Sequence, residues 1–292
     1  MKILVTGGTG FVGSNIANYF LEKGDDVIIT ARRKEQKTKA KTISPKINWK
    51  KLGSIDVLCH QAAITDTLVH DHDEMCKFNV EYSKKLFKNA VKNGCKKIVY
   101  ASSTAAYGDV QPPYKESGPF NPLNAYGRSK LMLDWFAMDF AKKHDVTIVG
   151  LRYCNVYGPG ENHKGNMASM VYQLAQQHKQ GKYNLFKWGE QKRDYIYVKD
   201  VARANELAIN SEESCILNCG YGDFATFNEI TEILNLILGK NVPTKFIDNP
   251  YKENYQNYTL CDVSLAKAKI GFIPEFNIAE GIKDYYLSGK LV

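Results

Sequence analysis

The first half of the chain alternates short apolar runs with longer segments whose apolar residues recur at helical spacing. Apolar runs predict strands at 3–6, 27–29, 56–60, 97–100 and 146–151. Helical spacing predicts helices at 10–23, 73–93 and 124–144, and Gly24 and Gly94 follow the first two as stop signals. This alternation is typical of βαβ units and predicts a Rossmann-type α/β fold, a parallel sheet with helices on both faces.

Two regions depart from that regular alternation. Residues 34–54 are short and polar for a full crossover, so we expect a reduced strand at 46–49 and almost no helix after it. In the later half, glycines, aromatic residues and loops become denser, with short strand candidates at 195–197 and 245–247. We therefore expect a sheet domain at 1–152, to which 194–214 return, and a smaller C-terminal substrate lobe at 153–193 and 215–292.

Composition places the chain among ordinary globular proteins. The 292 residues contain no apolar stretch long enough to cross a bilayer, so no membrane partner is expected. Met1 leads directly into the first predicted strand, and we expect no cleavable signal and a cytoplasmic location. The seven cysteines form no CxxC pair, and several lie in apolar runs, so we expect reduced core residues and no metal site.

The net charge of +8 is unevenly distributed along the chain. Residues 32–51 contain nine Lys or Arg residues and the single acid Glu35. One interpretation is a solvated basic loop, and another is attraction of polyanions such as a nucleotide cofactor and a nucleotide-linked substrate. The sequence shows neither an aromatic-lined groove nor a recognition motif, and nucleic acid is not an expected partner.

A glycine-rich segment, TGGTGFVG at 6–13, follows the first predicted strand and opens the first helix. It fits both Gly8-x-Gly10-x-x-Gly13 and Gly7-x-x-Gly10-x-x-Gly13, and the latter spacing is typical of short-chain dehydrogenases. Glycines permit the tight turn and let backbone N–H groups approach a pyrophosphate, while the helix N-terminus contributes partial positive charge. The segment therefore predicts a dinucleotide site.

The end of the second predicted strand bears on the choice of dinucleotide. NAD enzymes usually carry an acid there for the ribose 2′-hydroxyl. This chain reads Thr30-Ala31-Arg32-Arg33, without a carboxylate and with two guanidinium groups that can pair with a 2′-phosphate. The pattern favours NADP over NAD, which stays open as the alternative.

A second motif supplies candidate catalytic groups. Tyr126 and Lys130 are four residues apart on a predicted helix and so share a face. A phenol is a weak base at neutral pH unless a nearby cation, here Lys130, stabilises the phenolate. Ser103, just beyond a predicted strand, can hydrogen-bond the reacting oxygen. Together with the glycine segment, these residues predict an enzyme that oxidises and re-reduces a carbinol.

The chain resembles the extended short-chain dehydrogenase/reductases that act on nucleoside-diphosphate sugars. The resemblance rests on TGGTGFVGS (6–14), HQAA (60–63), Asn79-Val80, SSTAAYG (102–108), YGRSK (126–130), LRYCNVYGPG (151–160) and RDYIYVKDVA (193–202). Together with the glycine segment and the two arginines already described, it gives the expected cofactor contacts as Gly7, Gly10, Phe11, Val12, Gly13, Arg32, Arg33, Ala62, Ala63, Asn79, Tyr126 and Lys130.

The same resemblance implies how substrate and partner subunits bind. Ser103, Asn155 and Arg193 would face the substrate, with Arg193 near the diphosphate; the alternative is that Arg193 pairs with Asp194 or Asp200. Relatives are usually oligomers, so we expect a homo-oligomer with the helices at 73–93 and 124–144 as possible interface faces.

Within that family, one segment resembles a particular subgroup. Residues 161–169, ENHKGNMAS, are similar to the HKGSMAS segment of ADP-L-glycero-D-manno-heptose 6-epimerases, and Tyr255-Gln256 resemble part of their RYQ segment, with Asn254 in place of the arginine. The resemblance implies inversion through a 6-keto intermediate, with Tyr126 and Lys164 as the two acid/base groups. His163, Asn166 and Tyr255 would then face the substrate.

Other functions remain open on the sequence. A UDP-hexose 4-epimerase, or another nucleotide-sugar short-chain dehydrogenase, would use Tyr126 and Ser103 without needing Lys164. A 4,6-dehydratase is disfavoured because Thr104-Ala105 stand where those enzymes carry Asp-Glu. A catalytically silent NADP-binding sensor or scaffold would usually lose the tyrosine or the lysine, and this chain retains both.

Overall fold

The computed structural model of the chain describes residues 1–32, 38–66, 71–249 and 256–292. In chain order, its strands are β1 (Lys2–Thr6), β2 (Asp26–Thr30), β3 (Lys41–Ile43), β4 (Val57–His60), β5 (Lys97–Ser103), β6 (Thr147–Tyr153), β7 (Val156–Tyr157), β8 (Tyr183–Phe186), β9 (Lys192–Arg193), β10 (Ile196–Tyr197), β11 (Cys215–Cys219), β12 (Ala225–Thr226), β13 (Thr244–Ile247) and β14 (Tyr258–Thr259).

The helices surround these strands. They are α1 (Phe11–Glu22), α2 (Trp49–Leu52), α3 (His72–Cys76), α4 (Tyr82–Lys92), α5 (Ala125–Lys143), α6 (Met170–Lys179), α7 (Val198–Ile209), α8 (Phe227–Leu238), α9 (Ser264–Ile270) and α10 (Ile278–Leu287). A π-helical turn, Lys77–Glu81, connects α3 to α4, and 3-10 turns occupy Thr104–Ala106 and Asn162–Met167.

Seven strands form one sheet in the order β11-β6-β5-β4-β1-β2-β3, and every neighbouring pair is parallel. From β1, the chain adds β2 and β3 on one side of the sheet and then crosses to the other side to add β4, β5 and β6, so the strand order reverses between β1 and β4. In open parallel sheets, such a switch point creates a crevice at the carboxyl ends of the strands, where ligands bind. The loops that follow β1, β2 and β4 therefore meet at one place.

Burial on both faces explains why the central strands are continuous apolar runs. On one face, Ile3 and Val5 belong to a core cluster with Ile16 of α1. On the other face, Leu4 belongs to a cluster with Phe87 of α4 and Leu133 of α5. The predicted Rossmann-type parallel sheet with helices on both faces is confirmed.

The crossover after β2 differs from the prediction. The reduced strand lies at β3, Lys41–Ile43, and the prediction of a strand at 46–49 was wrong. Asn48 instead caps α2, because its side-chain oxygen accepts the Lys51 N–H at 3.2 Å. The helix there is only four residues long, as the polar sequence led us to expect.

The later half builds a separate core beside the sheet. Residues of α6, α8 and α10, among them Leu174, Ile230 and Ile282, pack in one buried cluster. Short sheets flank this cluster, in the orders β12-β9-β14, β10-β7 and β13-β8. The return of the chain to the main sheet extends through β11, beyond the expected boundary at 214, because Cys215–Cys219 pair with β6.

The seven cysteines are all free thiols, and five of them are buried. None of the helices within the described part of the chain is long and apolar enough to span a bilayer.

Candidate active site

The glycine-rich segment forms a tight turn between β1 and α1. Gly7 has a φ of +68°, and its carbonyl accepts the Gly10 N–H at 2.8 Å. Gly10 is the N-cap of α1, and it offers no side chain to cap the helix. The N-terminal amides of α1 therefore point into the crevice without a side-chain competitor, as phosphate binding requires.

Close backbone packing explains why this turn needs glycine. A Cβ at Gly13 would lie 2.3 Å from the Gly7 oxygen, and one at Gly8 would lie 2.4 Å from the Ile29 side chain. A Cβ at Gly7 would approach the backbone of Ala62 to 3.0 Å. The cradle thus holds β1, the start of α1 and the loop after β4 in mutual backbone contact.

A cleft of about 660 Å³ opens above this turn. That volume is within the range of about 300–1,000 Å³ usual for cofactor sites. Its walls come from the segments after β1, β2 and β4 and from the 3-10 turn that carries Lys164. The lining residues are Gly7, Thr9, Gly10, Phe11, Val12, Gly13, Thr30, Ala31, Arg32, Pro45, Gln61, Ala62, Ala63, Ile64, Thr65, Phe78, Tyr82, His163 and Lys164.

The glycine cradle, the helix N-terminus and the elongated cleft fit a nicotinamide dinucleotide. Arg32 is exposed and lines the cleft at the end of β2, where Ala31 carries no charge. A guanidinium at this place can pair with a 2′-phosphate. The second predicted arginine, Arg33, lies outside the described residues.

Tyr126, Ser103 and Lys130 form a second group of predicted residues. The Lys130 Nζ lies 5.6 Å from the centroid of the Tyr126 ring and donates to the Ala101 carbonyl at 2.7 Å. Burial lowers the pKa of Lys130 to about 8, and Asp134 opposes part of that shift. Lys130 therefore retains its charge at neutral pH while losing it easily in alkali.

The protonation of Tyr126 differs from the simplest expectation. Burial raises the pKa of this phenol, and the hydrogen bond with Ser103 lowers it only in part. The sequence predicts that Lys130 lowers the pKa of Tyr126, but Ser103 is the residue that does so in this structure. The phenol is thus protonated at neutral pH, ready to donate.

Lys164 lies in the cleft wall close to the cradle. It is half-buried, and its Nζ lies 5.7 Å from the centroid of the Phe11 ring. Burial lowers the pKa of Lys164, and nearby Glu161 opposes the shift. Glu161 is fully buried and anchors this turn, because it accepts the backbone N–H groups of Gly158 at 3.1 Å and Ser169 at 2.6 Å. The turn therefore holds a lysine cation beside the dinucleotide cleft.

The neighbours of Lys164 are more exposed. His163 also lines the cleft, and its Nδ1 lies 3.0 Å from the Gly160 carbonyl. Asn166 is exposed, and its backbone carbonyl accepts a hydrogen bond from Gln173. Tyr255 lies outside the described residues.

Asn155 and Arg193 lie between the sheet and the substrate lobe. Asn155 has a φ of +24°, and its Nδ2 donates to the Asp194 carbonyl at 2.8 Å and to the Thr259 hydroxyl at 3.0 Å. The Arg193 guanidinium lies 5.7 Å from the Phe227 ring centroid, and its Nη1 donates to the Lys192 carbonyl. These contacts join Asn155, which lies between β6 and β7, to β14 and to the residue after β9, and they place Arg193 of β9 beside α8.

The carboxylates considered as alternative partners of Arg193 have other bonds. Asp194 accepts the N–H groups of Tyr221 at 2.7 Å and Cys261 at 3.0 Å. Burial raises the pKa of Asp194 to about 6 against these bonds. Asp200 accepts the N–H groups of Glu275 and Phe276.

One cluster in the described part of the chain has metal-ligand chemistry. The ligand atoms of Cys154, Asp194 and Cys261 lie within 4.8 Å of one another, and all three residues are buried. The carboxylate of Asp194 is already engaged by backbone amides, including that of Cys261 itself. The cluster is therefore a tightly packed junction of the segments that follow β6, β9 and β14.

Two buried residues have a larger role than the motifs suggested. Asn79, predicted to contact the cofactor, does not line the cleft among the described residues; its amide bonds the backbone of Ile64, which does. His60 begins the HQAA motif, but the motif alone does not indicate what this side chain does. In the structure, its ring nitrogens hydrogen-bond the hydroxyl groups of Thr6 and Ser83, each at 2.7 Å. A polar residue ending a fully buried strand is the signal that identifies His60.

Comparison with known proteins places these motifs in a wider group. A family model described as the NAD dependent epimerase/dehydratase family matches residues 3–220. The chain is similar to the ADP-L-glycero-D-manno-heptose-6-epimerase of Helicobacter pylori, with 33% identity over 98% of this chain and 95% of that chain and a TM-score of 0.89.

Two further solved structures show the breadth of the similarity. UDP-glucose 4-epimerase of Thermotoga maritima with UDP-glucose has 29% identity over 99% of each chain and a TM-score of 0.90. UDP-glucose 4-epimerase of Thermus thermophilus in complex with NAD has 26% identity over 98% of this chain and 97% of that chain, with a TM-score of 0.85. The resemblance to nucleotide-sugar enzymes is confirmed.

Proposed function

Because the chain belongs to the NAD dependent epimerase/dehydratase family, we propose that it is a nucleotide-sugar epimerase that inverts one carbinol carbon through a transient ketone. Its proposed substrate is ADP-glycero-manno-heptose, with inversion at C6. The observation that carries this choice is Lys164, a half-buried cation in the wall of the same cleft as the glycine cradle. It lies in the HKGNMAS segment that resembles the heptose 6-epimerases.

Tyr126 is the first proposed acid/base group. Its hydroxyl, hydrogen-bonded to Ser103, exchanges a proton with the reacting hydroxyl of the sugar. A nicotinamide dinucleotide held by the glycine cradle would supply the hydride acceptor and donor that this inversion needs. Lys130 places a cation 5.6 Å from the centroid of the Tyr126 ring, while Ser103 is the neighbour that lowers the pKa of the phenol.

Lys164 is the second proposed acid/base group. In the proposed 6-epimerisation the 6-keto sugar turns over before hydride returns, which places its oxygen away from Tyr126, where a second group has to exchange the proton. Burial lowers the pKa of Lys164 and so moves it closer to neutral pH, where an ammonium donates a proton more readily. Glu161 supports this role by fixing the turn that carries the lysine.

The finer cofactor and substrate contacts are also part of the proposal. The position of Arg32 in the cleft, next to the uncharged Ala31, supports NADP as the dinucleotide. The NAD complex of the Thermus thermophilus relative supports NAD as the alternative. Asn155 and Arg193 are proposed to hold the diphosphate-sugar, and His163, Asn166 and Tyr255 to contact the sugar.

A UDP-hexose 4-epimerase is the second candidate function. The high similarity to the Thermotoga maritima enzyme with UDP-glucose supports it. That reaction would use Tyr126 and Ser103, and it assigns no role to Lys164. The two candidates therefore differ in their dependence on one lysine.

The test is product analysis on the purified protein. NMR of incubations with ADP-heptose and, separately, with UDP-hexoses identifies which carbon is inverted. We expect inversion at C6 of the heptose, with Tyr126→Phe and Lys164→Met each lowering turnover by about 10²–10⁴-fold. Lys179→Met, an exposed lysine at the end of α6, is the matched control and should retain activity.

Two results would contradict the proposal in different ways. Inversion of a UDP-hexose that survives Lys164→Met would support the 4-epimerase. Tight dinucleotide binding without turnover of any nucleotide sugar would support a sensor or scaffold.

A further inference from the structure

We propose that Asn79 is a positioning residue that fixes the cofactor-cleft loop at 61–65 against helix α5, which carries Tyr126 and Lys130. Asn79 is 1% exposed and lies in the π-helical turn Lys77–Glu81. It acts on the cofactor through the loop. The consequence for turnover rests on the proposed function, whereas the consequence for the loop does not.

The first link joins Asn79 to the loop. The Asn79 Oδ1 accepts the Ile64 N–H at 2.8 Å, and the Asn79 Nδ2 donates to the Ile64 carbonyl at 2.9 Å. This pair of bonds satisfies both backbone groups of Ile64, as a neighbouring strand would. Ile64 itself lines the cleft, so the amide sets the position of the cleft wall.

The second link joins Asn79 to the catalytic helix. The Ser129 Oγ donates to the Tyr126 carbonyl at 2.7 Å, so its only hydrogen is used there. Ser129 therefore accepts the hydrogen bond from Asn79 Nδ2, at 3.0 Å. The two Nδ2 hydrogens therefore serve three acceptors, the Ile64 carbonyl, the Ser129 hydroxyl and the Met75 Sδ at 3.0 Å, and because all three face Nδ2 the orientation of the amide is determined.

The third link holds the loop at its other end. Ser83 Oγ donates to the Asn79 carbonyl at 2.8 Å and so accepts from His60 Nε2 at 2.7 Å. His60 Nδ1 then accepts from the Thr6 hydroxyl at 2.7 Å, and Thr6 accepts the Ala62 N–H at 3.2 Å. Burial keeps His60 neutral, consistent with this single tautomer. The loop is therefore tied at both Ala62 and Ile64.

The π-helical turn explains how one side chain reaches both partners. A π turn contains an extra residue, and successive residues in a helix differ by about 100° around the axis. A regular helix would therefore rotate the Asn79 amide away from either the loop or α5. Turns of this kind occur frequently at functional sites.

The main experiment compares Asn79→Ala with Asn235→Ala. Asn235, on α8 of the substrate lobe, is the matched control, because it is a half-buried asparagine whose side chain accepts the Val242 N–H at 3.2 Å. Fluorescence titration with NADH and NADPH gives dinucleotide affinity, and hydrogen exchange reports on residues 61–65 and 125–130. Asn79→Ala leaves two backbone groups of Ile64 unsatisfied, so we expect about ten- to hundredfold weaker dinucleotide binding.

We also expect faster exchange in both segments for Asn79→Ala, whereas Asn235→Ala should change neither the affinity nor these segments. Wild-type affinity and wild-type exchange at 61–65 in Asn79→Ala would overturn the inference. If Asn79→Ala does not fold, Ser129→Ala decides, since it removes the acceptor for Asn79 on α5, along with the bond from Ser129 to the Tyr126 carbonyl, and leaves the bonds to Ile64 in place. Faster exchange at 125–130 with lower kcat and little change in dinucleotide affinity supports the inference, and wild-type values for both overturn it.

These readouts separate the inference from the proposed function. Dinucleotide affinity and exchange are measured without sugar, so they hold even if the nucleotide-sugar assays fail. A wild-type protein that epimerises its substrate, together with an unaffected Asn79→Ala variant, would contradict the inference alone.

Discussion

A single methyl group added at position 13 is expected to distort the dinucleotide cradle and weaken cofactor binding. In Gly13→Ala, the new Cβ would lie 2.3 Å from the Gly7 oxygen and 2.9 Å from the Gly7 carbonyl carbon. Real Cβ atoms essentially never come closer than 3.0 Å to such neighbours, so the turn or the start of α1 must move by about 0.7 Å or more. The Gly7 carbonyl also accepts the Gly10 N–H, which the movement would weaken.

The structure sets the size of this effect. Helix α1 cannot move without cost, because Ile16 and Phe20 are at most 1% exposed in the sheet core. Overpacking of this kind costs about 1–3 kcal/mol, and replacing glycine by alanine within a helix returns about 1 kcal/mol. The free energy of unfolding should thus fall by about 0–2 kcal/mol. Displacement of the phosphate-binding amides by nearly 1 Å should weaken dinucleotide binding by about a hundredfold.

Fluorescence titration with NADH and NADPH measures the affinity, and urea unfolding measures the stability. Gly24→Ala is the matched control, because Gly24 has a φ of +85° and no neighbouring atom within 4 Å of its added Cβ. That variant should lose about 1 kcal/mol of stability through backbone strain and keep its dinucleotide affinity. Wild-type affinity in a folded Gly13→Ala protein would refute the assignment of this turn as the phosphate cradle.

Three further outcomes are expected. Burial, with a smaller effect of Lys130, lowers the pKa of His60 to about 3, so near pH 5 only the unfolded chain binds a proton at this residue. The free energy of unfolding should therefore decrease as pH falls below about 6.5, by up to about 1.4 kcal/mol per pH unit. In urea unfolding, His60→Gln should flatten this dependence on pH. Arg32→Ala should weaken NADPH binding more than NADH binding in titrations, and equal losses would argue against 2′-phosphate recognition. Trp135 and Met132 lie three residues apart on α5 and are 61% and 41% exposed, so they form an apolar surface that a second copy of the chain can cover. Trp135→Glu should therefore dissociate a homo-oligomer in sedimentation velocity. An unchanged sedimentation coefficient would exclude this face of α5 as the interface.

Some of the fold and of the candidate site could be read from neighbouring residues. The strand–turn–helix around Gly7 and Gly13 was predictable because apolar period, glycine content and helix start are properties of one short segment. Tyr126 and Lys130 share a helix face for the same reason. The 46–49 strand was mispredicted because Asn48 bonds its own backbone neighbour Lys51, and this local cap prevails over an apolar pattern.

Other properties depend on segments distant in sequence. Burial reverses the expected shift in the pKa of Tyr126, and no local pattern reports how deeply a phenol is enclosed. Asn79 was predicted as a direct cofactor contact, whereas its amide bonds Ile64 and Ser129, fifteen and fifty residues away. Such bonds exist only after the sheet has brought the three segments together.

The sequence by itself determined the Rossmann-type sheet, the glycine cradle and the identity of the chemical groups, because residue period, backbone freedom and side-chain chemistry are local. Only the tertiary structure decided that Lys164 shares a cleft with the cradle, that Lys130 and Tyr126 have shifted pKa values, and that Asn79 links the loop to α5. The physical reason is that distance, burial and hydrogen-bond direction between remote segments are consequences of packing, which no stretch of sequence contains alone.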